Sequence, residues 1–363
     1  MKLVVNRQQL TEALNKVSGV NGSKSMLPVL ANVLLECKEN KLMLTTTDLG
    51  IRVTTSIEAL VEIDGKTTLP VKKFKDLISK LKDDSVNIES NENFHTFIKC
   101  GTTNVRLNGM SYEDFPAPVT FIPIRTFKID GNELARTISR IIYAINIEEQ
   151  RKVLHGILLS VNENMFTTVA TDARRLALVE TVLDEYSGQE GDAILPLKSA
   201  AELKNLAKGE EVTIEIGENQ AMFRCGKTIM TAKLIEGNFP NYRQIIPASF
   251  SKKVENINTD SFLAALNTAA ITLPDIDGII KLIFENEKLS FNAINSDIGE
   301  GNDYIKISYP YETMTVSFNY RYLREPLQNI DSDNITIKMN NDSSPFTIES
   351  NDGFLYIIMP IRK

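Results

Sequence analysis

The sequence predicts an α+β protein made of three tandem copies of one domain, each pairing two helices with antiparallel sheets. Three observations carry this. A strand-then-helix opening occurs three times, a strand end of small hydroxyl residue plus Asp (or a close equivalent) recurs at near-constant spacing, and a second helix follows each. At 363 residues the chain is also too long for one ordinary core.

Taken in order, "LVVNRQQLTEALNKV" reads as a strand and then a helix carrying Leu10 and Leu14. "TFKIDGNELARTISRI" repeats the pattern with Leu134 and Ile138, and "KVENINTDSFLAALNTA" repeats it with Phe262 and Leu266. Each opening continues into alternating strands ending "KLMLTTTD", "MFTTVATD" and "LSFNAINSD", which sets Asp48, Asp172 and Asp297 at intervals of 124 and 125 positions. The second helices open "LPVKKFKDLISKLK", "LPLKSAAELKNLAK" and "FNYRYLREPLQNI". Pro326 in the last of these predicts a kink unless it falls in a first turn. "IKCGTTNVRL" and "FRCGKTIMTAKL" align Cys100 with Cys225, and both lead to Phe-Pro, at Phe115-Pro116 and Phe239-Pro240. The Pro-rich "FPAPVTFIPIRT" and the segment "IIPASFSKKVEN" mark the boundaries, giving domains 1–122, 123–250 and 251–363.

A hydrophobic content of 42% with 24% charged residues is that of a soluble globular protein. No apolar run nears the roughly 20 residues a membrane span needs. "MKLVVNRQQL" lacks the apolar region of a signal peptide, so a cytoplasmic protein is expected. Cys37, Cys100 and Cys225 lie far apart without CxxC spacing and are expected as buried reduced thiols. His95 and His155, the only histidines, accompany neither a nucleophile elbow nor a metal-ligand spacing. Gly65-Lys66-Thr67 and Gly226-Lys227-Thr228 mimic the end of a P-loop, but Leu60 and Ala221 occupy the place of its first glycine. No catalysis, cofactor or metal is expected.

Charge is the informative quantity. The chain is net -7, yet "LPVKKFKDLISKLKDD" gathers five lysines beside one apolar stripe. Over the helical segments 7–17, 71–82, 130–141, 197–208, 259–270 and 319–330 the charges are +1, +4, 0, +2, -1 and +1. The helices are thus a positive set within a negative protein. Gathered on one side they would attract a polyanion by its backbone, without the aromatic platform that reads bases. Six ordinary solvated helix faces are the alternative that the residues alone leave open.

The run "TVATDARRLAL", with "LIEGNFPNYRQIIP" downstream and the C-terminal "YIIMPIRK", resembles the bacterial replicative sliding clamp, the beta subunit of DNA polymerase III. The resemblance spans the whole chain and all three repeats. It implies DNA-clamp domains in a head-to-tail homodimer, a six-domain ring lined by helices that encircles double-stranded DNA and tethers the replicative polymerase. It also implies an ATP-dependent clamp loader, and repair polymerases and other proteins carrying a clamp-binding motif, as partners, and no membrane. A rival reading is an open, non-ring nucleic-acid-binding protein using the same basic helices. Another is a pure protein-interaction scaffold.

By match to the family, a hydrophobic pocket between the second and third domains takes the partner motif. Its residues here would be Leu154, Thr171, Ala173, Arg174, Arg175, Leu176, Pro240, Gln244 and Ile245. The C-terminal part would be Ser344, Pro345, Ile358, Met359, Pro360, Ile361 and Arg362. Aliphatic groups and prolines with a few polar groups suit apolar anchors. Ala173 and Arg174 stand where the family often has Gly followed by His or another polar residue. For DNA, the matching positions are Lys24, Lys72, Lys73, Lys198, Arg151 and Lys152, to which helix charge adds Arg321 and Arg324. At the ring seam, Ile271 and Thr272 would meet Val105 and Leu107 of the neighbouring subunit.

Overall fold

The computed structural model describes residues 1–20, 27–274 and 278–362. Its elements recur as the sequence does. The first copy runs β1 (Lys2–Asn6), α1 (Arg7–Val17), β2 (Asn32–Lys38), β3 (Lys41–Thr47), β4 (Ile51–Glu58), β5 (Leu60–Ile63), β6 (Gly65–Pro70), α2 (Val71–Lys80), β7 (Ser85–Ser90), β8 (His95–Cys100) and β9 (Thr103–Asn108). The second runs β10 (Arg125–Asp130), α3 (Gly131–Ile141), β11 (Gly156–Asn162), β12 (Met165–Thr171), β13 (Arg175–Val182), β14 (Tyr186–Gly188), β15 (Gly191–Pro196), α4 (Leu197–Leu206), β16 (Glu211–Ile216), β17 (Gln220–Cys225) and β18 (Thr228–Lys233). The third runs β19 (Lys252–Asn258), α5 (Thr259–Ala269), β20 (Ile279–Glu285), β21 (Lys288–Asn295), β22 (Gly299–Lys306), β23 (Met314–Asn319), α6 (Tyr320–Asn329), β24 (Asn334–Met339), β25 (Phe346–Glu349) and β26 (Phe354–Ile358). Among the described residues it has no counterpart of the short β5 and β14.

Local chemistry explains why the openings repeat. Asn6, Asp130 and Asn258 each end a strand, and their side chains accept hydrogen bonds from backbone N–H groups of the next turn: Gln8 and Gln9, Glu133, and Ser261. The first helical residue then donates to a carbonyl just past the second helix of its own copy. The pairs are Arg7 to Asp84 (2.8 Å), Gly131 to Glu210 (2.9 Å) and Thr259 to Asp333 (2.9 Å). Leu10, Leu14, Leu134, Ile138, Phe262 and Leu266, singled out by spacing, are all buried. In the first copy α1 packs on β3 and β4 beside α2, and in the third α5 packs on β21 and β22 beside α6.

Compactness does not follow the repeats. One unit comprises Met1–Ala135, Glu185–Gln189 and Ala201–Leu234; the other comprises Arg136–Asp184, Glu190–Ala200 and Ile235–Lys363. The reason is that strands pair across copy boundaries. The first unit holds a sheet ordered β5-β1-β7-β8-β9 and another ordered β14-β10-β16-β17-β18-β4-β3-β2-β6. Within the latter, β18 of the second copy joins β4 of the first, from Thr228↔Thr55 to Ala232↔Ile51. The second unit holds β15-β11-β12-β13-β26-β25-β24-β19 and β22-β21-β20-β23. There β13 of the second copy joins β26 of the third, from Arg175↔Ile358 to Val179↔Phe354. Each seam therefore pairs the strand after a copy's Asp turn with the last strand of the next copy. The two strands left over by this rule, β22 and β9, are the outer strands of their sheets.

Pro326 lies in the interior of α6, and the helix runs through it. Proline cannot donate to the carbonyl four residues back, that of Tyr322. The Tyr356 hydroxyl supplies the missing donor, at 2.8 Å from the Tyr322 carbonyl oxygen. The helices are shorter than expected at their C-terminal ends, so Lys82 and Lys208 fall beyond α2 and α4. Cys37, Cys100 and Cys225 are buried and unbridged, and burial pushes the Cys225 thiol up to about 11.

Candidate functional site

Thr171 ends β12, and Arg175 begins β13, with Asp172, Ala173 and Arg174 forming the turn between them. The Thr171 hydroxyl donates to the Arg175 carbonyl at 2.6 Å and accepts from the Ala173 N–H at 3.1 Å. One Asp172 carboxylate oxygen accepts from the N–H groups of Arg174 and Arg175, each at 3.0 Å. The first copy builds the same turn from Thr47, Asp48 and Leu49. The recurring hydroxyl-plus-Asp of those two copies is therefore a turn device. Both turns place a side-chain-bearing residue in the left-handed region, Leu49 at φ 74 and Ala173 at φ 69. Ala173→Gly is expected to raise stability by about 0.5–1 kcal/mol, because glycine relieves more strain there than it adds unfolded-state entropy. Denaturant midpoints of the two proteins check this.

Register gathers the expected docking residues at one end of the eight-stranded sheet. Arg175 lies opposite Ile358, and Ile358 opposite Phe346, which follows Ser344 and Pro345. The Met359 N–H donates to the Arg174 carbonyl at 2.9 Å, which holds the C-terminal run against the turn, and the Ile361 N–H donates to the Ser317 carbonyl of β23 at 2.8 Å. Leu176 belongs to an apolar cluster with Leu158, Val169, Leu178, Ile194, Tyr242 and Ile357, against which Phe239 and Ile246 pack. The segment containing Pro240, Gln244 and Ile245 thus straps across the sheet.

Within this group, exposure separates two roles. Leu154, Thr171, Arg175, Leu176 and Ile358 are buried and form a frame. Ala173, Arg174, Gln244, Ile245, Ile361 and Arg362 are exposed, while Pro240, Ser344, Pro345, Met359 and Pro360 are half-buried. A concavity of about 430 Å³ beside the strap is lined by Leu158, Asp192, Phe239, Pro240, Tyr242 and Arg243 among others. Of the expected residues only Pro240 reaches it.

The largest correction concerns Arg175, expected as pocket wall. Its guanidinium is turned inward and is 3% exposed. It donates to Asp172 at 3.0 Å, to the Tyr143 carbonyl at 2.5 Å and to Glu325 on α6, and it lies over the Tyr322 ring at 4.3 Å. Burial alone would make this cation easier to deprotonate; Tyr356, Glu325 and Asp172 around it outweigh that and hold it above its ordinary range. Burial likewise raises the phenols of Tyr143 and Tyr356. Arg175 is therefore the post that ties the turn to α6. Sequence reading missed Tyr143, Tyr322, Glu325 and Tyr356 here, because partners so far apart in the chain leave no spacing signal.

On the expected DNA side, Lys72 and Lys73 are exposed on α2, and Lys198 is exposed on α4. Arg151 and Lys152 are exposed before β11, with Arg151 2.9 Å from Glu149. Lys24 lies outside the described residues. The two cations added from helix charge are less available. Arg321 is paired with Glu325 at 2.7 Å, and Arg324 is half-buried against the Tyr320 ring. Arg136 and Arg140 of α3 are likewise engaged by Asp331 and Asp352.

At the open sheet edges, Val105 and Leu107 sit half-buried on β9. Ile271 is 80% exposed. Thr272, expected beside it at the seam, is instead buried, and its hydroxyl has no hydrogen-bond partner among the described residues. Successive residues of a short helical turn point in different directions, so only one of the pair can face outward.

Three copies of one α+β unit, joined by shared sheets and left with an open strand at each end, define the DNA-clamp class of repeat proteins. Family models agree over nearly the full length. The N-terminal, central and C-terminal domains of the DNA polymerase III beta subunit match residues 1–119, 128–241 and 243–362. The "Beta sliding clamp" of Chlamydia muridarum is 28% identical over 363 residues, covering 100% of this chain and 99% of that protein. The crystal structure of the DNA polymerase III subunit beta from Pseudomonas aeruginosa superposes with a TM-score of 0.93 at 28% identity, covering 100% of both chains. The same values hold for the beta sliding clamp of C. crescentus, whose structure carries polyethylene glycol at its candidate beta-motif tethering region. The chain belongs to the family of DNA polymerase III beta subunits, the bacterial sliding clamps. It is a non-catalytic processivity clamp for DNA polymerase.

Proposed function

We propose that two copies of this chain close head to tail into a six-domain ring around duplex DNA, with domains dividing near residues 122 and 250. The carrying observation is the seam rule. Both internal seams pair the strand after a copy's Asp turn with the last strand of the next copy, and β22 and β9 are the two strands that rule leaves unpaired. A second copy satisfies both at once, removing two exposed sheet edges. Val105, Leu107 and Ile271 would lie at that junction. Lys72, Lys73, Lys198, Arg151 and Lys152 would face the phosphates without reading sequence, with Lys24 assigned by match alone.

The end of the eight-stranded sheet would receive the short motif of the replicative polymerase, the clamp loader and repair polymerases. Ala173, Arg174, Gln244, Ile245, Met359, Pro360, Ile361 and Arg362 would make the contact surface. The buried frame beneath, braced by Arg175, would hold it in shape.

Retention on DNA after loading by the cognate ATP-dependent loader tests the ring. Protein is expected to stay on nicked circles and to run off the same molecules once linearised, at moderate salt. Equal retention on both forms, lost steeply as salt rises, would mean surface binding by counterion release and an open protein.

A further inference from the structure

The first seam has a groove of its own, in the unit that holds β18 and β4. Its volume is about 850 Å³. The floor is the outer face of the nine-stranded sheet, and the wall is the segment from Tyr112 to Val119, whose Phe115-Pro116 is the counterpart of Phe239-Pro240 in the second seam. Met43, Leu49, Tyr112 and Val119, all lining this groove, are among the exposed large apolar side chains of the chain, at 39%, 49%, 39% and 62%. Such a concentration of exposed apolar groups in one concavity marks an interaction site.

One residue makes this groove chemically unlike the second seam. Counting from the shared turn, Arg52 stands where the second seam has Leu176. Leu176 is covered by the strap, whereas Arg52 is half-buried in the groove floor, stacked on Phe115 at 5.7 Å and donating to the Pro116 carbonyl. Glu36, also in the groove lining, acts on Arg52 electrostatically but lies beyond ion-pair distance of it. Lys66, the nearby groove lysine, already pairs with Glu36 at 2.5 Å, and Lys233 adds a further cation to the lining. The groove is thus apolar with an excess of positive charge, in a protein of net charge -7. A free guanidinium edge in partly dry surroundings selects a carboxylate.

We propose that the first seam is a second docking site, which takes an extended protein segment bearing apolar side chains on either side of an acidic residue, its carboxylate on Arg52. The proposal rests on the geometry of the first seam and is independent of what the second seam binds.

The probe is a fluorescein-labelled, amide-capped peptide Ser-Ile-Asp-Val-Phe-Ser, titrated into the full-length protein by anisotropy, beside the same peptide with Asn in place of Asp. Binding is expected to weaken about tenfold with the Asn peptide, as loss of a charge-assisted pair predicts. Arg52→Glu should abolish binding, and Met43→Lys, at an exposed position, should weaken it at least as much as the Asn change. Ile361→Asp, at the second seam, should leave it unchanged. Circular dichroism confirms that each variant is folded. Loss of binding with Ile361→Asp but not with Arg52→Glu would assign the peptide to the second seam and overturn the proposal. Equal affinity for the Asp and Asn peptides, or displacement of the peptide by inorganic phosphate alone at millimolar concentration, would overturn it too. None of these outcomes bears on ring closure, which the circle-and-linear experiment reads separately.

Discussion

Arg175→Met is expected to lower stability by about 3–5 kcal/mol, the cost of breaking a buried ion pair by removing one partner. The side chains of Arg175, Asp172 and Glu325 are 3%, 2% and 14% exposed, so water cannot replace the lost cation. Methionine keeps most of the volume, which makes the loss electrostatic and not a cavity effect. The Tyr143 carbonyl also loses its 2.5 Å donor. Adding Glu325→Gln to the same protein should recover part of the loss, because one of the two stranded carboxylates is then neutral. Denaturant midpoint and melting temperature read both effects. A midpoint unchanged by Arg175→Met would mean that the guanidinium does not brace the turn. Because that turn carries Ala173 and Arg174, the variant should also weaken capture of partner motifs while leaving both exposed side chains in place.

Reversing two exposed lysines, Lys72→Glu with Lys73→Glu, is expected to weaken DNA binding by about 10–100-fold near physiological salt and to reduce the salt slope by about 2. Each lysine in contact with a phosphate releases roughly one counterion, and a glutamate in its place repels the backbone. Neither lysine has a carboxylate partner among the described residues, and both project from α2 away from its buried face of Val71, Phe74 and Ile78. Stability should therefore change little, within about 0.5 kcal/mol. Affinity measured over a salt series, on closed circles to keep the topology fixed, gives the slope. An unchanged slope would show that these lysines are ordinary solvated charges. The same change at Arg321 should have a smaller effect, since Glu325 already balances that cation at 2.7 Å.

Periodicity reports the neighbours of a residue along its own element. On that basis the sequence by itself determined the three-fold repeat and the six helices, with the buried positions Leu10, Leu14, Leu134, Ile138, Phe262 and Leu266. It also marked the strand ends at Thr47-Asp48 and Thr171-Asp172, whose side chains the structure shows closing a turn. All of these are interactions over a few positions, where residue type and spacing suffice. Net helix charge was legible for the same reason, although not which charges are already engaged: Arg136, Arg140 and Arg321 find carboxylates, and Arg136 and Arg140 find theirs about 200 positions away or more.

Tertiary structure alone decided the rest. Pro326 does not break α6 because Tyr356 donates the hydrogen bond the proline cannot. Arg175 turns inward because Glu325 and Tyr143 wait there, and Thr272 turns inward while Ile271 faces out. Copy boundaries became shared sheets because a strand's open edge is satisfied by whichever strand the fold brings alongside. Such partners are chosen by proximity in space, and one-dimensional spacing carries no record of it.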